Sequence, residues 1–221
     1  GVFDEDRYFD IFIEYAKEDA EDIFAVATIY NRGPEAAKIW VMPTIWFRKT
    51  WFTGHEPFMP KLSQIDEHTL KAFNPKSGNY IFSFCGNDQL VFCDNESNRV
   101  RLFGITNERK FTKDGVNDYL IHGDTSKLNP KKTGTKAAAI YELEIPAGGM
   151  HQVKVRMQHQ LSDEPLKSCH ESVNKRKKEA DEFYESIQNR VTEDDHRLIQ
   201  RQAFAGLMWS KQFYYYDVNR W

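Results

Sequence analysis

A two-residue apolar alternation constrains this chain more than any other feature. It runs between turn signals from residue 8 to residue 145, and again over residues 153–158. Val153, Val155 and Met157 alternate with Lys154, Arg156 and Gln158, while Phe9, Ile11, Ile13 and Tyr15 alternate with Asp10, Phe12 and Glu14. Side chains on a strand point to opposite faces in turn, so this period predicts strands with one packed face. Residues 23–30 are apolar at both parities apart from Thr28, which predicts a strand covered on both sides. Asn31-Arg32-Gly33-Pro34 supplies a turn, with residues 37–42 as the returning strand. Further strands are predicted at residues 79–85, 89–93, 100–103, 118–122 and 136–145, with another turn at Pro146-Ala147-Gly148-Gly149. The expected fold is mainly β: a large antiparallel sandwich over residues 1–161.

The character changes near residue 162. Ser162-Asp163-Glu164-Pro165 reads as a connector, and residues 162–191 as a linker with a helix from about residue 170 to 188. Its basic run, residues 175–178, could serve as an import signal or an anion site. Lys177 with Asp181 and Lys178 with Glu182 are spaced i,i+4, which favours a solvated ion-paired face instead. A second helix is predicted over residues 192–221, with Thr192 as N-cap and Glu193, Asp194 and Asp195 in the first turn. From Leu198 onward it is apolar or aromatic around its whole circumference: Ile199, Ala203 and Leu207 on one side, Phe204 and Met208 on another, Trp209 and Tyr216 on a third. Such a helix needs other elements around it. Gly1 enters almost directly into a strand pattern and Trp221 follows no stop signal, so both ends are expected to be cuts in a longer chain.

Composition excludes several classes. The formal net charge is −3, which offers no basic field for nucleic acid. No apolar run is long enough for a membrane span, and no secretory signal opens the chain. The seven His and three Cys residues show no metal-ligand spacing, and no nucleotide or nucleophile-elbow motif is present, so neither metal nor cofactor is expected. Cys85 and Cys93 flank a predicted hairpin turn at Gly86-Asn87-Asp88. In that register Cys85 faces Leu90 and Cys93 faces Phe82, so with Cys169 they read as three buried, reduced thiols of a cytoplasmic protein. Asn95 and Ser97 form a glycosylation sequon only if the chain is secreted.

One segment resembles a known family. Residues 201–218, with Trp209-Ser210-Lys211-Gln212-Phe213-Tyr214-Tyr215 at their centre, resemble bacterial proteins of glycoside hydrolase family 63, relatives of the processing α-glucosidase. Asp6-Arg7-Tyr8-Phe9-Asp10, Asn31-Arg32-Gly33-Pro34-Glu35-Ala36-Ala37, Gly134-Thr135-Lys136-Ala137-Ala138 and Glu179-Ala180-Asp181-Glu182-Phe183-Tyr184 extend the likeness from end to end. The resemblance implies a β super-sandwich, linker helices and an (α/α)6 barrel, whose first helix would be residues 192–221. It also implies an inverting mechanism, with an Asp general acid and a Glu general base spaced to admit water. Both would lie on the barrel, beyond Trp221, so no catalytic residue is assigned in this chain. The expected ligand is an α-glucoside or oligosaccharide, reached through that barrel, and the segment itself would brace it.

Within the chain, Ser210, Tyr214, Asp217 and Trp221 fall at i, i+4, i+7 and i+11, one side of a continuing helix. An aromatic ring beside a carboxylate suits a sugar subsite; core packing is the competing explanation. A free-standing carbohydrate-binding sandwich is the alternative function, with Trp40, Trp46 and Trp51 as stacking platforms. Trp40 and Trp46 share strand parity, however, which also fits core positions. The carboxylate pairs Glu142 with Glu144 and Asp94 with Glu96 read as ordinary strand-face and turn residues.

Overall fold

The computed structural model describes residues 3, 5–49, 51, 58–210 and 218. The protein is mainly β, with an antiparallel seven-stranded sheet, a four-stranded sheet and two C-terminal helices. Two compact units divide the chain at Val173 and Asn174.

The first unit begins with an antiparallel pair, β1 (Phe9–Asp19) and β2 (Asp22–Asn31), in the register Ile11 to Ile29 and Tyr15 to Ala25. Chain order then stops matching sheet order. Strands β3 (Ala37–Val41) and β4 (Thr44–Trp46) join the smaller sheet. β5 (Lys61–Asp66), β6 (Thr69–Asn74) and β7 (Gly78–Phe84) return to the larger one. β8 (Gln89–Cys93) crosses again and pairs β10 (Lys136–Ile145), β9 (Thr133–Gly134) pairs β5, and β11 (Met150–Gln158) lies between β2 and β7. Each turn predicted as a hairpin here is therefore a crossing between sheets. Residues 31–34 lead from β2 to β3, residues 86–88 from β7 to β8, and residues 146–149 from β10 to β11.

The crossings are held by specific polar side chains. Asn31 is buried at the first; its Nδ2 donates to Glu35 O (2.8 Å) and Ile145 O (2.9 Å), and its Oδ1 accepts from Gly33 N (2.9 Å). At the second, Asn87 Nδ2 donates to Glu67 O (3.0 Å), while Asp88 N–H donates to Ile140 O (2.8 Å) and Asp88 Oδ2 accepts from Glu142 N–H (2.6 Å). The Asp88 bonds tie the β7–β8 turn to β10 and the Asn87 bond ties it to the β5–β6 turn, so Cys85, just past β7, and Cys93, at the end of β8, are not across a hairpin. Cys93 and Cys169 are buried, but Cys85 is exposed where the chain leaves β7.

Between the sheets, Ile29, Leu62, Leu70, Phe84, Leu90, Phe92, Tyr141 and Val153 form the main core. β2 is covered on both sides as its composition demands, since Phe24 and Val26 on its other face pack with Leu166, Cys169 and Val173. Arg156 crosses that face, donating to Asp22 through Nε (2.8 Å) and Nη2 (2.6 Å) and to Pro165 O through Nη1 (2.8 Å). Gly134 is fixed by close approach: a Cβ there would sit 2.1 Å from the Cys93 carbonyl oxygen.

Two predicted strands are helices. α1 (Arg99–Phe103) occupies residues 100–103 and α2 (Gly115–His122) occupies residues 118–122. Asn98 caps α1 by accepting from Arg101 N–H (3.1 Å), and Gly104 and Gly123 end α1 and α2 in the left-handed conformation. α2 covers the outer face of β8 and β10, packing Val116 against Val91, Ala138 and Ile140. β5 and β6 were not anticipated, because only Leu62, Leu70 and Ala72 among their side chains are buried apolar groups.

α3 (Cys169–Ile187) matches its predicted span and carries Arg176–Glu179 (2.6 Å) and Lys178–Glu182 (3.8 Å) ion pairs on its surface. α4 (Asp194–Ser210) starts one residue later than an N-cap at Thr192 requires, keeping Asp194 and Asp195 in its first turn. In the second unit α3 and α4 meet through Arg201, which pairs with Asp181 (2.5 Å) and lies 4.6 Å from the Tyr184 ring centroid, while Tyr184 stacks on Phe204 at 6.4 Å.

Candidate functional site

Of the four predicted subsite residues, Ser210 is the one the structure describes; Tyr214, Asp217 and Trp221 lie outside the described residues. Ser210 is exposed at the end of α4, and its hydroxyl donates back to Gly206 O, one turn earlier. Upstream on the same helix Leu198, Ile199, Leu207 and Met208 are all more than half exposed. Between residues 198 and 208 the apolar pattern thus corresponds to an exposed apolar surface, while its continuation over residues 211–217 and 219–221 lies outside the described residues.

The aromatic trio proves more accessible than strand parity suggested. Trp40 pairs with Glu142, and Trp46 with Lys136, across the smaller sheet. β10 sends Ala137, Ala139 and Tyr141 into the main core, so Lys136, Glu142 and their partners face outward. Trp40 is 45% exposed and Trp46 57%, and Trp51 is half-buried. The shared parity was legible; the choice of the outer face over the core was not. Glu142 and Glu144 are exposed on this face, as expected of strand-face carboxylates, and Glu142 lies 3.7 Å from Lys38.

Asp94 and Glu96 depart from the expectation for turn residues, because both are buried. Asp94 follows the last residue of β8, and its N–H donates to Phe111 O (2.7 Å). Burial pushes the Asp94 carboxyl above its ordinary value, with the charge of Arg109 and the bonds from Thr135 pulling it partly back. Glu96 is ion-paired with Lys49, which also lies 3.7 Å from Glu108. A carboxyl held above its usual range can act as an acid, but this one is buried and bonded by Thr135, next to the Glu96–Lys49 ion pair. Asn95 between them donates through Nδ2 to Phe47 O (2.9 Å). The amide nitrogen that a glycan would modify is thus already bonded.

A second polar knot joins α1 to α2. Thr112 (2.6 Å) and Asn98 (2.9 Å) donate to Asp114, and Lys127 reaches both Asp114 and Asp118. Burial acts to raise the Asp114 carboxyl, but these donors outweigh it and hold it at about 2.

A cleft of about 760 Å³ lies between the β5–β6 turn, Cys85–Gly86 and the connector of residues 161–167. His68 lines it, with Nδ1 2.7 Å from Asn87 Oδ1. Among the described residues no His, Asp or Glu side chain hydrogen-bonds the Cys85 thiol, so the cleft lacks a paired nucleophile and base. Nor do three metal-ligating side chains converge anywhere among the described residues. No helix among them is long and apolar enough to cross a membrane.

No family model matches the chain. It is similar to the uncharacterized protein YMR196W of Saccharomyces cerevisiae, 32% identical over an alignment that takes in 97% of this chain and 23% of that protein. The chain thus spans less than a quarter of the length of the curated relative it matches. The 258 aligned positions exceed the 221 residues present, so the relative carries insertions between matched stretches.

Proposed function

We propose that this chain is the sandwich and lead-in helices of an inverting α-glucosidase-like hydrolase, and that its work is to brace a helical catalytic barrel. The carrying observation is the surface of α4, where Leu198, Ile199, Leu207 and Met208 are left in water. A helix apolar all round is stable inside a bundle or barrel and costly outside one. The acid and base of an inverting hydrolase would then sit on further helices, and Ser210, Tyr214, Asp217 and Trp221 would border the sugar site. The polypeptide encoded by the whole gene should hydrolyse α-glucosides with release of the β-anomer, seen by proton NMR, while residues 1–221 alone release none. Turnover by residues 1–221, or retention of configuration, would sink the proposal. In the whole protein Asp217→Asn should lower kcat/KM by about tenfold, about 1.4 kcal/mol.

A second function, sugar binding by the sandwich itself, is favoured by the outward-facing Trp40 beside Glu142 and Trp46 beside Lys136. Exposed rings on a flat sheet offer stacking surfaces to the C–H faces of a sugar. Quenching of tryptophan fluorescence by maltoheptaose, lost in Trp46→Ala, would support it; an unchanged spectrum would remove it.

A further inference from the structure

The smaller sheet has a free edge beside an uncovered apolar wall. Ala139 N–H donates to Pro43 O and Phe47 N–H to Thr135 O, each at 3.1 Å. Both contacts fall in the register of Trp40 with Glu142 and Trp46 with Lys136. Strands β3 and β4 are therefore one edge strand, interrupted where Pro43 has no N–H to give. Antiparallel ladders alternate, so the odd-numbered residues of this strand bond β10 and the even-numbered ones turn their N–H and C=O groups outward. Proline is tolerated at an edge, but here the donor it lacks is on the β10 side. The outward donors of Trp40, Met42, Thr44 and Trp46 are all intact. Among the described residues no strand pairs with them.

The wall belongs to the other sheet. Ile11, Ile13 and Tyr15 lie on the face of β1 that continues the core-facing row of Ala25, Ala27 and Ile29. They run beyond the edge strand, and Tyr15 is 72% exposed. Between them and residues 40–43 is a trough of about 320 Å³. A covered sandwich face would bury these three side chains, and an exposed apolar edge is an open site for strand addition. The larger sheet reaches past this edge with β1, whose Ile11, Ile13 and Tyr15 line the trough opposite residues 40–43, and neighbouring strands lie roughly 5 Å apart. That width admits one strand and disfavours a second copy of this chain, whose own projecting β1 would meet this one.

We propose that the edge of β3–β4 takes an added strand, apolar at every second residue, from elsewhere in the same longer polypeptide. The alternate apolar side chains would cover Ile11, Ile13 and Tyr15 while the main chain pairs with Trp40, Met42, Thr44 and Trp46. The source rests on the reading that the chain belongs to a longer hydrolase, in line with the relative, more than three quarters of which lies outside the match.

Hydrogen exchange followed by NMR or fragmentation mass spectrometry tests it. The amides of residues 40, 42, 44 and 46 should exchange fast in residues 1–221, and at least about 100-fold more slowly in the product of the whole gene. Ile13→Lys, at an exposed position, should leave residues 1–221 folded and restore fast exchange at those four amides in the whole protein. Equal rates in both proteins would overturn the proposal, as would a gene that encodes nothing further. So would protection already present in residues 1–221 that grows with concentration, since a second copy would then hold the edge. The glucosidase assay is independent: an active whole protein with fast edge amides refutes the added strand alone. A protected edge in an inactive protein refutes the hydrolase reading alone.

Discussion

Asn31 is 2% exposed and bonds four main-chain groups at the first crossing between the sheets. Replacing it with alanine removes four hydrogen bonds, the one to Pro146 O being the longest at 3.2 Å and the other three worth about 1 kcal/mol each, and leaves the buried Gly33 N–H without its partner. The expected loss is about 3–4 kcal/mol, much of the stability of an ordinary domain. Asn31→Asp has the same shape but a different fault. Its carboxylate can still accept from Gly33, but it would face the carbonyl oxygens of Glu35, Ile145 and Pro146, to which Asn31 now donates. Burying that charge among acceptors should cost at least about 4 kcal/mol at pH 7. The sign with pH follows from linkage. A carboxyl repelled in the folded state has its folded pKa raised above the unfolded value of about 3.9. The ionisation penalty is therefore absent below that value and grows as pH rises through the folded pKa. Urea unfolding followed by tryptophan fluorescence, with wild type alongside at pH 4 and pH 7, reads both effects. A deficit for Asn31→Asp below about 1 kcal/mol at pH 7, or one equal at the two pH values, would show that the side chain does not hold this crossing.

Asp114 should behave in the opposite way. Its carboxyl is held at about 2, so its stabilisation is present above the unfolded value of about 3.9 and is lost as pH falls toward 2. Allowing for solvent screening, Asp114→Asn should be about 1–2 kcal/mol less stable than wild type at pH 7, with the gap closed near pH 2; a gap independent of pH would refute this. A thiol reagent should find one fast group in the native protein, the exposed Cys85, and three after denaturation. Burial pushes the Cys93 thiol up to about 12 and raises Cys169 too, so native labelling of either as fast as Cys85 would contradict the core described above.

The sequence disclosed strands wherever one side chain parity stayed apolar, as in β2, β10 and β11, and the last two helices by period and acidic first turns. It failed where local pattern is ambiguous. Arg99–Phe103 and Gly115–His122 are short mixed segments, and their stop signals, Gly104 and Gly123, were the clue that would have identified helices. Which strands pair was illegible for a different reason. Asn31, Asn87 and Asp88 look like hairpin residues, yet their side chains bind main-chain groups of residues 145, 67 and 142 rather than closing local ladders. In the candidate site, the spacing of Trp40 and Trp46 gave a common face but not its accessibility. That depended on which face of the small sheet α2 and the larger sheet cover. Asp94 and Glu96 were misplaced because a turn next to a strand end can fold inward when Lys49, Arg109 and Thr135 come to meet it.

The sheet order has a consequence for how the chain acquires its shape. β2 waits for β11, and the Arg156–Asp22 bridge joins residues 134 positions apart. During synthesis β1 and β2 can close as a pair early, but the inner strand that flanks them emerges only after about two thirds of the chain. Phe24 and Val26 wait longer still, since Leu166, Cys169 and Val173, against which they pack, come after β11. Such long-range pairing makes for slow folding and a long interval in which sticky surface is open to other molecules. Expression at low temperature, or with chaperones that shield nascent apolar strands, should therefore raise soluble yield.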